Sequence, residues 1–303
     1  MTHPAYEHEP VLVEPLLRIV APAAGEWVFD GTVGLGGHAS AIVPRIRPDG
    51  SYIGVDLDGD MLTTARERLA EYGDRVRLIA GNFADARAIL GEQGIDAVDV
   101  LLLDLGVNSA QLDDAGRGFS FDRDGPLDMR FDRSAATRAL DLINRLSERE
   151  LADMFYEFGQ EGLSRKIAKR ICQVRHGGRI TTTLVLARAV ESALASAGDA
   201  GGKIHPATRV FQALRVAVNG EFDNLRRFLG QAFDLLRPGG RLAVISFHSL
   251  EDGLVKQAMR EAVATGRAEE LTRRPVVAEE PERSQNPRSR SAKLRVARRR
   301  MET

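Results

Sequence analysis

The sequence predicts an α/β chain: a seven-stranded, mostly parallel sheet divided by an inserted helical segment. Three observations predict it. Short apolar strands alternate with helical stretches between residues 26 and 104; the alternation lapses across 105–204; it resumes after His205-Pro206. Alternation at this spacing implies βαβ units, whose strands run parallel with helices on both faces.

Taken in order, Glu26 to Asp30 reads as a short buried strand ending at an acid. The glycine-rich turn Gly31 to His38 leads into a helix over 39–46, stopped near Pro48 and Gly50. A strand at 51–56 is followed by a helix over 61–72, then a strand at 75–80, a helix at 85–92 and a strand at 98–104. Residues 105–133 are rich in Gly, Asp and Arg and have no period; an aperiodic stretch of this length inside a compact chain is usually functional or disordered. A helical block spans about 138–200. Ser147 and Glu150 have capping-box spacing, Leu151, Met154, Phe155 and Phe158 follow at helical intervals, and Thr182 or Thr183 caps a further helix to Leu194. Ala197 to Gly202 reads as a linker. One long helical stretch then runs from Phe211 to Leu236 and stops at Arg237-Pro238-Gly239-Gly240. A fifth strand at 241–247, a helix at 251–263, a sixth strand within 270–278 and a final strand over 292–297, where Ala292, Leu294 and Val296 alternate with Lys293, Arg295 and Ala297, complete the pattern. The expected division is 1–110 and 205–303 for the sheet domain, with 111–204 as loop and helical insertion.

Composition narrows the function classes. At 303 residues and 43% hydrophobic the chain can build a real core. No apolar run approaches the roughly 18 residues of a membrane helix, and the polar start, with Glu7 and Glu9, is not a signal peptide. One cysteine, Cys172, excludes an internal disulfide and points to a reducing, cytoplasmic setting. The six histidines lack ligand spacing, so no metal is expected. The net charge of -1 hides a basic end: residues 283–303 hold eight Lys or Arg and one acid, a pattern suited either to a polyanion or to a solvated end that aids solubility.

The turn after the first strand admits two ligands. Gly34, Gly36 and Ala39, with Asp56 22 residues after Gly34, fit a dinucleotide fingerprint and thus an NAD-dependent oxidoreductase. Asp30-x-x-x-Gly34-x-Gly36 also fits the nucleoside loop of an S-adenosylmethionine enzyme, with Thr32 where glycine is usual. Three features favour the methyl donor. The loop begins with an acid and lacks a cation for pyrophosphate. The Leu-Arg-Pro-Gly-Gly-Arg-Leu run (236–242) precedes the fifth strand. Phe83, after the third strand, can stack on adenine, the alternative being a place in the core.

Beyond residue 104 the chain resembles a known family. Asp104 to Asp114, Arg117-Gly-Phe-Ser-Phe, Asp124-Gly-Pro-Leu-Asp-Met-Arg, His205-Pro-Ala-Thr-Arg, Ser246-Phe-His-Ser-Leu-Glu-Asp and Asn286-Pro-Arg-Ser-Arg-Ser are similar to motifs of the bacterial 16S ribosomal RNA cytosine-N4 methyltransferases (RsmH, MraW). The resemblance runs from His8 to about Arg298 and departs at Asn108 and Ala110, where the family usually has serine and proline. It implies a class I methyltransferase domain with a helical insertion, S-adenosylmethionine as donor, and a decoding-region cytidine of the small subunit as substrate. It also implies that Gly36, Gly37 and His38 touch the donor, Asp56 its ribose and Phe83 its adenine, with Asp104 and Gln111 completing the pocket.

Cytosine's exocyclic amine is a weak nucleophile, so an acceptor for its hydrogens is expected. Asp104, ending the fourth strand, is the catalytic candidate; the same residue also suits a role in holding the donor. An extruded base needs stacking partners, for which Phe119, Phe121 and Met129 are candidates, with Arg117 and Arg130 beside them; the alternative is that these aromatics pin the loop to the core. His248 either lines the pocket or is structural. Lys166, Lys169 and Arg170, with the basic tail, are candidate phosphate contacts. A non-catalytic RNA-binding assembly factor is the other alternative, and the sequence leaves the oligomeric state open.

Overall fold

The computed structural model describes residues 10–195, 205 and 207–301; the expected linker at 197–202 and most of the polar start lie outside these. Two compact units emerge. One joins the chain up to Gly106 with the chain from Phe222 onward; the other spans Val107–Glu221. The sequence places the division at 110/111 and 204/205.

In the first unit an eight-stranded sheet is built from β1 (Trp27–Asp30), β2 (Ser51–Asp56), β3 (Val76–Ala80), β4 (Val98–Asp104), β5 (Leu236–Ser246), β6 (Ala268–Glu270), β7 (Val276–Val277) and β8 (Lys293–Arg299). Its order is β3-β2-β1-β4-β5-β8-β6, with β7 also paired to β8. The first five are parallel, and β8 runs antiparallel to β5, β6 and β7. Chain order reverses between β1 and β4, and doubly wound sheets bind ligands outside the carboxyl ends of strands at such a switch point.

Strand residues alternate between two cores. Phe29, Ile53, Val55, Leu101, Leu103 and Val244 face one cluster, while Val28, Tyr52, Val100, Leu102, Ala243 and Ile245 face the other. Burial on both faces explains why Val98 to Leu103 reads as a nearly unbroken apolar run. The helices of this unit that precede the second are α1 (Val13–Val20), α2 (Gly37–Ile46), α3 (Gly59–Arg68) and α4 (Ala86–Glu92). The second unit holds α5 (Ser109–Asp113), α6 (Ala139–Arg145), α7 (Glu148–Gly159), α8 (Ser164–Gly177), α9 (Thr183–Ala195) and α10 (Thr208–Asn219). The chain returns through α11 (Glu221–Leu235), α12 (Ser249–Ala264) and α13 (Glu280–Gln285).

Several expectations are corrected. The long helix before the fifth strand breaks at Gly220, whose φ of 59° caps α10 on Val216 O. Only a residue tolerant of left-handed backbone sits there cheaply, and the break is where the units divide. The expected helix over 61–72 ends at Arg68 and tightens into a 3-10 turn, Ala70–Arg75. The expected sixth strand is two short ones, β6 and β7. The Pro-Gly-Gly run ends the helix but lies within β5, beside a register shift between Val98 and Val100. α1 and α13 have no counterpart in the sequence reading.

The basic end is also different from expectation. β8 is interior to the sheet, and its cations are paired within it: Arg295 clasps Asp252 at 2.6 and 3.1 Å, Arg298 meets Glu269 at 2.5 Å, and Arg299 donates to the carbonyls of Phe233 and Leu236. The buried Arg295 guanidinium must find acceptors, and it, Arg298 and Arg299 are engaged within the sheet rather than held out on a free arm.

Candidate active site

Three strands deliver carboxylates to one edge of the sheet: Asp30 from β1, Asp56 from β2 and Asp104 from β4. Asp56 organises the glycine turn. Its Oδ2 accepts from Gly34 N at 2.8 Å and its Oδ1 from Asp58 N at 2.9 Å. Gly34 and Gly36 have φ of 52° and 80°, so the turn needs glycine for conformation as well as for close approach. A Cβ on Gly31 would stand 2.5 Å from Leu103 and 2.6 Å from Phe83. The turn thus forms a narrow cradle before the N-terminus of α2. Burial raises the Asp56 carboxyl to about 7, against the two backbone hydrogen bonds that favour its ionised form.

Asp30 is buried and satisfied by Tyr52, whose hydroxyl donates to its Oδ2 at 2.5 Å, and by Thr32 N at 3.0 Å. Burial still lifts its carboxyl above the usual range, opposed by the Tyr52 bond. Thr32, the departure from the usual glycine, ties two strands together. Its Oγ1 accepts from Asp104 N at 2.6 Å and donates to Asp30 Oδ1 at 3.4 Å.

Asp104 stands apart from the other two. Its side chain is 20% exposed, its Oδ2 lies 3.7 Å from His38 Nδ1, and its Oδ1 is buried without a partner. Burial, reinforced by the charges of Asp30 and Glu251, holds its carboxyl well above the usual carboxylate range. His38 is buried on α2, and its Nε2 bonds Val11 O at 2.9 Å. The side chain the resemblance points at the donor is therefore turned to Val11 and Asp104. Gly37 lies under Pro10: a Cβ there would come within 3.1 Å of that ring. Phe83 is half-buried and meets Phe228 edge-on at 5.8 Å. His248 has the structural role: it is the N-cap of α12 and faces Glu251 at 3.0 Å.

The remaining predicted residues belong to the second unit. Gln111 is 4% exposed and closes a capping box on α5, with Asn108 N donating to its Oε1 at 3.1 Å and its own N donating to Asn108 Oδ1 at 3.0 Å. Asn108, a departure from the family, is thus a sound helix cap. Arg117 is 4% exposed and donates to the carbonyls of Arg130 and Phe131. Arg130 is clamped by Asp128 at 2.7 Å through two nitrogens and donates to Ala135 O. Phe119 stacks on Phe131 at 5.4 Å, Phe121 packs against His205 at 4.4 Å and Phe211 at 4.9 Å, and Met129 is fully buried. The structure engages the two arginines and the aromatics in fastening the long loop to the helical core, with Arg117, Phe119 and Met129 buried and Phe121 and Arg130 half-buried. Lys166, Lys169 and Arg170 sit on α8, with Lys169 exposed and the other two half-buried. Among the described residues none of the three forms an ion pair, and Arg170 Nε is buried without a partner.

Sequence reasoning missed Thr32, Tyr52, Glu251 and Glu282. Thr32 alone carried a signal, as the residue breaking the usual loop pattern. Among the described residues no cluster of three or more His, Cys, Asp or Glu is placed to hold a metal, and no helix is long and apolar enough to cross a membrane.

A doubly wound sheet whose switch point is ringed by acids and opened by a positive-φ glycine turn suits a cationic nucleoside: it offers backbone room, a ribose acceptor and no counter-charge for pyrophosphate. Fold and site together define a class I S-adenosylmethionine-dependent methyltransferase. The chain belongs to the MraW methylase family, whose model matches residues 5–300. Among its relatives, the ribosomal RNA small subunit methyltransferase H of Syntrophotalea carbinolica is 49% identical, with 99% of this chain and 100% of that protein covered. Those of Sorangium cellulosum (48% identical; 97% and 91% covered) and Pelobacter propionicus (46%; 96% and 98%) bear the same name. A solved structure, TrmN from Thermus thermophilus, aligns with a TM-score of 0.45 at 15% identity over 95% of this chain and 48% of that one.

Proposed function

We propose that this chain methylates the N4 amine of a decoding-region cytidine in 16S ribosomal RNA, using S-adenosylmethionine. The observation that carries the reading is Asp104: a buried carboxyl oxygen without a partner at the carboxyl end of β4, beside the glycine cradle. Such an oxygen is what an amine hydrogen requires. The relatives' names support a small-subunit RNA substrate, and the resemblance supports the base and atom. A ribosomal substrate in turn supports a cytoplasmic location.

The bound donor supplies an electrophilic methyl carbon on a sulfonium. The chain's own work is placement, worth up to about 7–11 kcal/mol when the reacting atoms are aligned. Gly36 and Gly37 would admit the donor to the backbone, Asp56 would accept from its ribose hydroxyls and Phe83 would border its adenine. Asp104 accepts a hydrogen of the amine, localising the nitrogen lone pair as the nitrogen becomes pyramidal. Nicotinamide chemistry is disfavoured, because the turn from Gly31 to His38 supplies no Lys or Arg to neutralise a pyrophosphate. Retention of those acids also speaks against a non-catalytic assembly factor.

Mass spectrometry of ribosomal RNA nucleosides from cells lacking this protein tests the reading: one N4-methylated cytidine disappears from the small subunit. An unchanged nucleoside profile refutes it.

For RNA, Lys166, Lys169 and Arg170 are the phosphate contacts, since no carboxylate competes for them. Affinity for the small-subunit RNA is expected to fall steeply with salt. Replacing all three with alanine lowers the slope of log K against log salt by roughly 2, at about 0.7 per contact for single strands. Binding measured from 50 to 300 mM salt, on the order used for such titrations, checks this; an unchanged slope removes the three from the interface.

A further inference from the structure

Resting on the amine-methylation reading, we propose that His38 is the terminal proton acceptor of the reaction, reached through Asp104 acting as a two-oxygen shuttle. A backbone carbonyl only accepts, so the 2.9 Å contact between Val11 O and His38 Nε2 places the ring hydrogen on Nε2. Nδ1 is thereby left with a bare lone pair, 3.7 Å from Asp104 Oδ2. The opposite oxygen, Oδ1, is buried and unpartnered. One carboxyl thus has one oxygen toward a base and the other buried without a partner, an oxygen that the entering base has to uncover.

The arrangement is held from the far ends of the chain. Glu282 Oε1, near the start of α13, accepts from Leu12 N at 2.7 Å and so fixes the segment that presents the Val11 carbonyl. Leu12 itself has φ 53°, a left-handed conformation that a leucine adopts only when its surroundings compel it. On the other side Thr32 anchors the Asp104 main chain. The ionisable groups acting on the pair are Asp30 and Glu282 on His38, and Asp30 and Glu251 on Asp104. All are acids, so a proton reaching the imidazole is stabilised by charge even though burial keeps the resting ring neutral and its basicity below the ordinary value.

The step balances as follows. The carboxyl proton starts on Oδ2, directed at His38 Nδ1. The cytosine N4 lone pair forms the new N–C bond while the sulfur–carbon bond breaks, its electron pair remaining on sulfur. The N4 proton passes to Asp104 Oδ1, leaving its bonding pair on nitrogen, as the Oδ2 proton passes to His38 Nδ1. Products are the neutral N4-methylcytosine, a neutral thioether, a neutral Asp104 and an imidazolium, which returns its proton to solvent through Asp104 when the products leave. The 3.7 Å separation has to close to hydrogen-bond length in the loaded enzyme, as resting-state catalytic contacts commonly do.

His38→Gln is the discriminating variant, because its amide nitrogen can still donate to Val11 O but offers Asp104 no base. In single-turnover methylation of small-subunit particles the expected loss is about 10²-fold, the low end for general base catalysis, with donor Kd changed less than about threefold. The wild-type rate falls on the acid side, below the ordinary imidazole value, and that limb is absent in His38→Gln. In an Asp104→Asn background His38→Gln has no further effect, as members of one unit are non-additive. A wild-type rate in His38→Gln, or additive losses, overturns the inference. Should the variant fail to fold, nitrogen-resolved NMR of the wild-type ring decides: hydrogen on Nδ1 overturns the relay and hydrogen on Nε2 upholds its geometry. Failure of the underlying reading looks different, since wild-type enzyme would then leave cytidine N4 unmethylated.

Discussion

Asp104→Asn is expected to bind S-adenosylmethionine nearly as well as the wild type and to lose about 10²–10⁴ in turnover, the range assigned to general acid–base groups. Asparagine has the same shape and leaves the main-chain bond from Asp104 N to Thr32 Oγ1 in place. It removes the one property the site requires, an oxygen that takes up a proton. Folding does not suffer: the carboxyl is held well above its usual range by burial and by Asp30 and Glu251, so exchanging it for a neutral amide relieves that burden. Titration calorimetry with the donor and single-turnover methylation, run on the same preparation, give the comparison. Parallel loss of affinity and rate assigns Asp104 to holding the donor and withdraws its amine role.

Donor affinity should tighten as pH rises through about 7, and Asp56→Asn should abolish that dependence while weakening binding by about 10²-fold or more, the worth of one to two hydrogen bonds to a charged group. The sign follows from where the proton sits. In the folded protein the Asp56 carboxyl is raised to about 7 from 3.8, chiefly by burial. The unfolded chain therefore releases this proton first, so stability of the free protein falls as pH climbs from about 4 to about 7 and is flat beyond. Ribose hydroxyls donate to the ionised carboxyl, so binding favours that form and expels up to one proton near neutrality. Calorimetry in two buffers of different ionisation enthalpy measures the release. Asp30 and Asp104 are also raised by burial, which is why the slope lost in Asp56→Asn, rather than the total slope, is the decisive quantity. An unchanged slope in that variant removes Asp56 from ribose recognition.

Much of this site was legible because it is local. The acids Asp30, Asp56 and Asp104 close apolar strands, and the strands are found by composition over four to seven residues. Ser147 and Glu150 signal their helix because a capping box is fixed by spacing alone; the structure has both halves, at 2.7 and 3.2 Å. The positive-φ positions Gly34 and Gly36 are glycine for a reason that needs no partner. Fold class, donor turn and strand-end acids are therefore properties of short windows of chain.

Other roles depend on which distant segments meet. Arg117 and Arg130 look like nucleic-acid contacts in sequence, yet backbone carbonyls and Asp128 claim them in the fold. The tail reads as a basic arm, and its insertion between β5 and β6 pairs Arg295 with Asp252 and Arg298 with Glu269. Val11 and His38, Thr32 and Asp104, and Glu282 and Leu12 are joined across 27, 72 and 270 residues. Sequence set the chemistry available at the strand ends, because periodicity and residue type act over a few positions. Only sheet register and the packing of chain ends decided which carboxylate oxygen was left unpaired, because a hydrogen bond is settled by proximity in space and has no fixed separation along the chain.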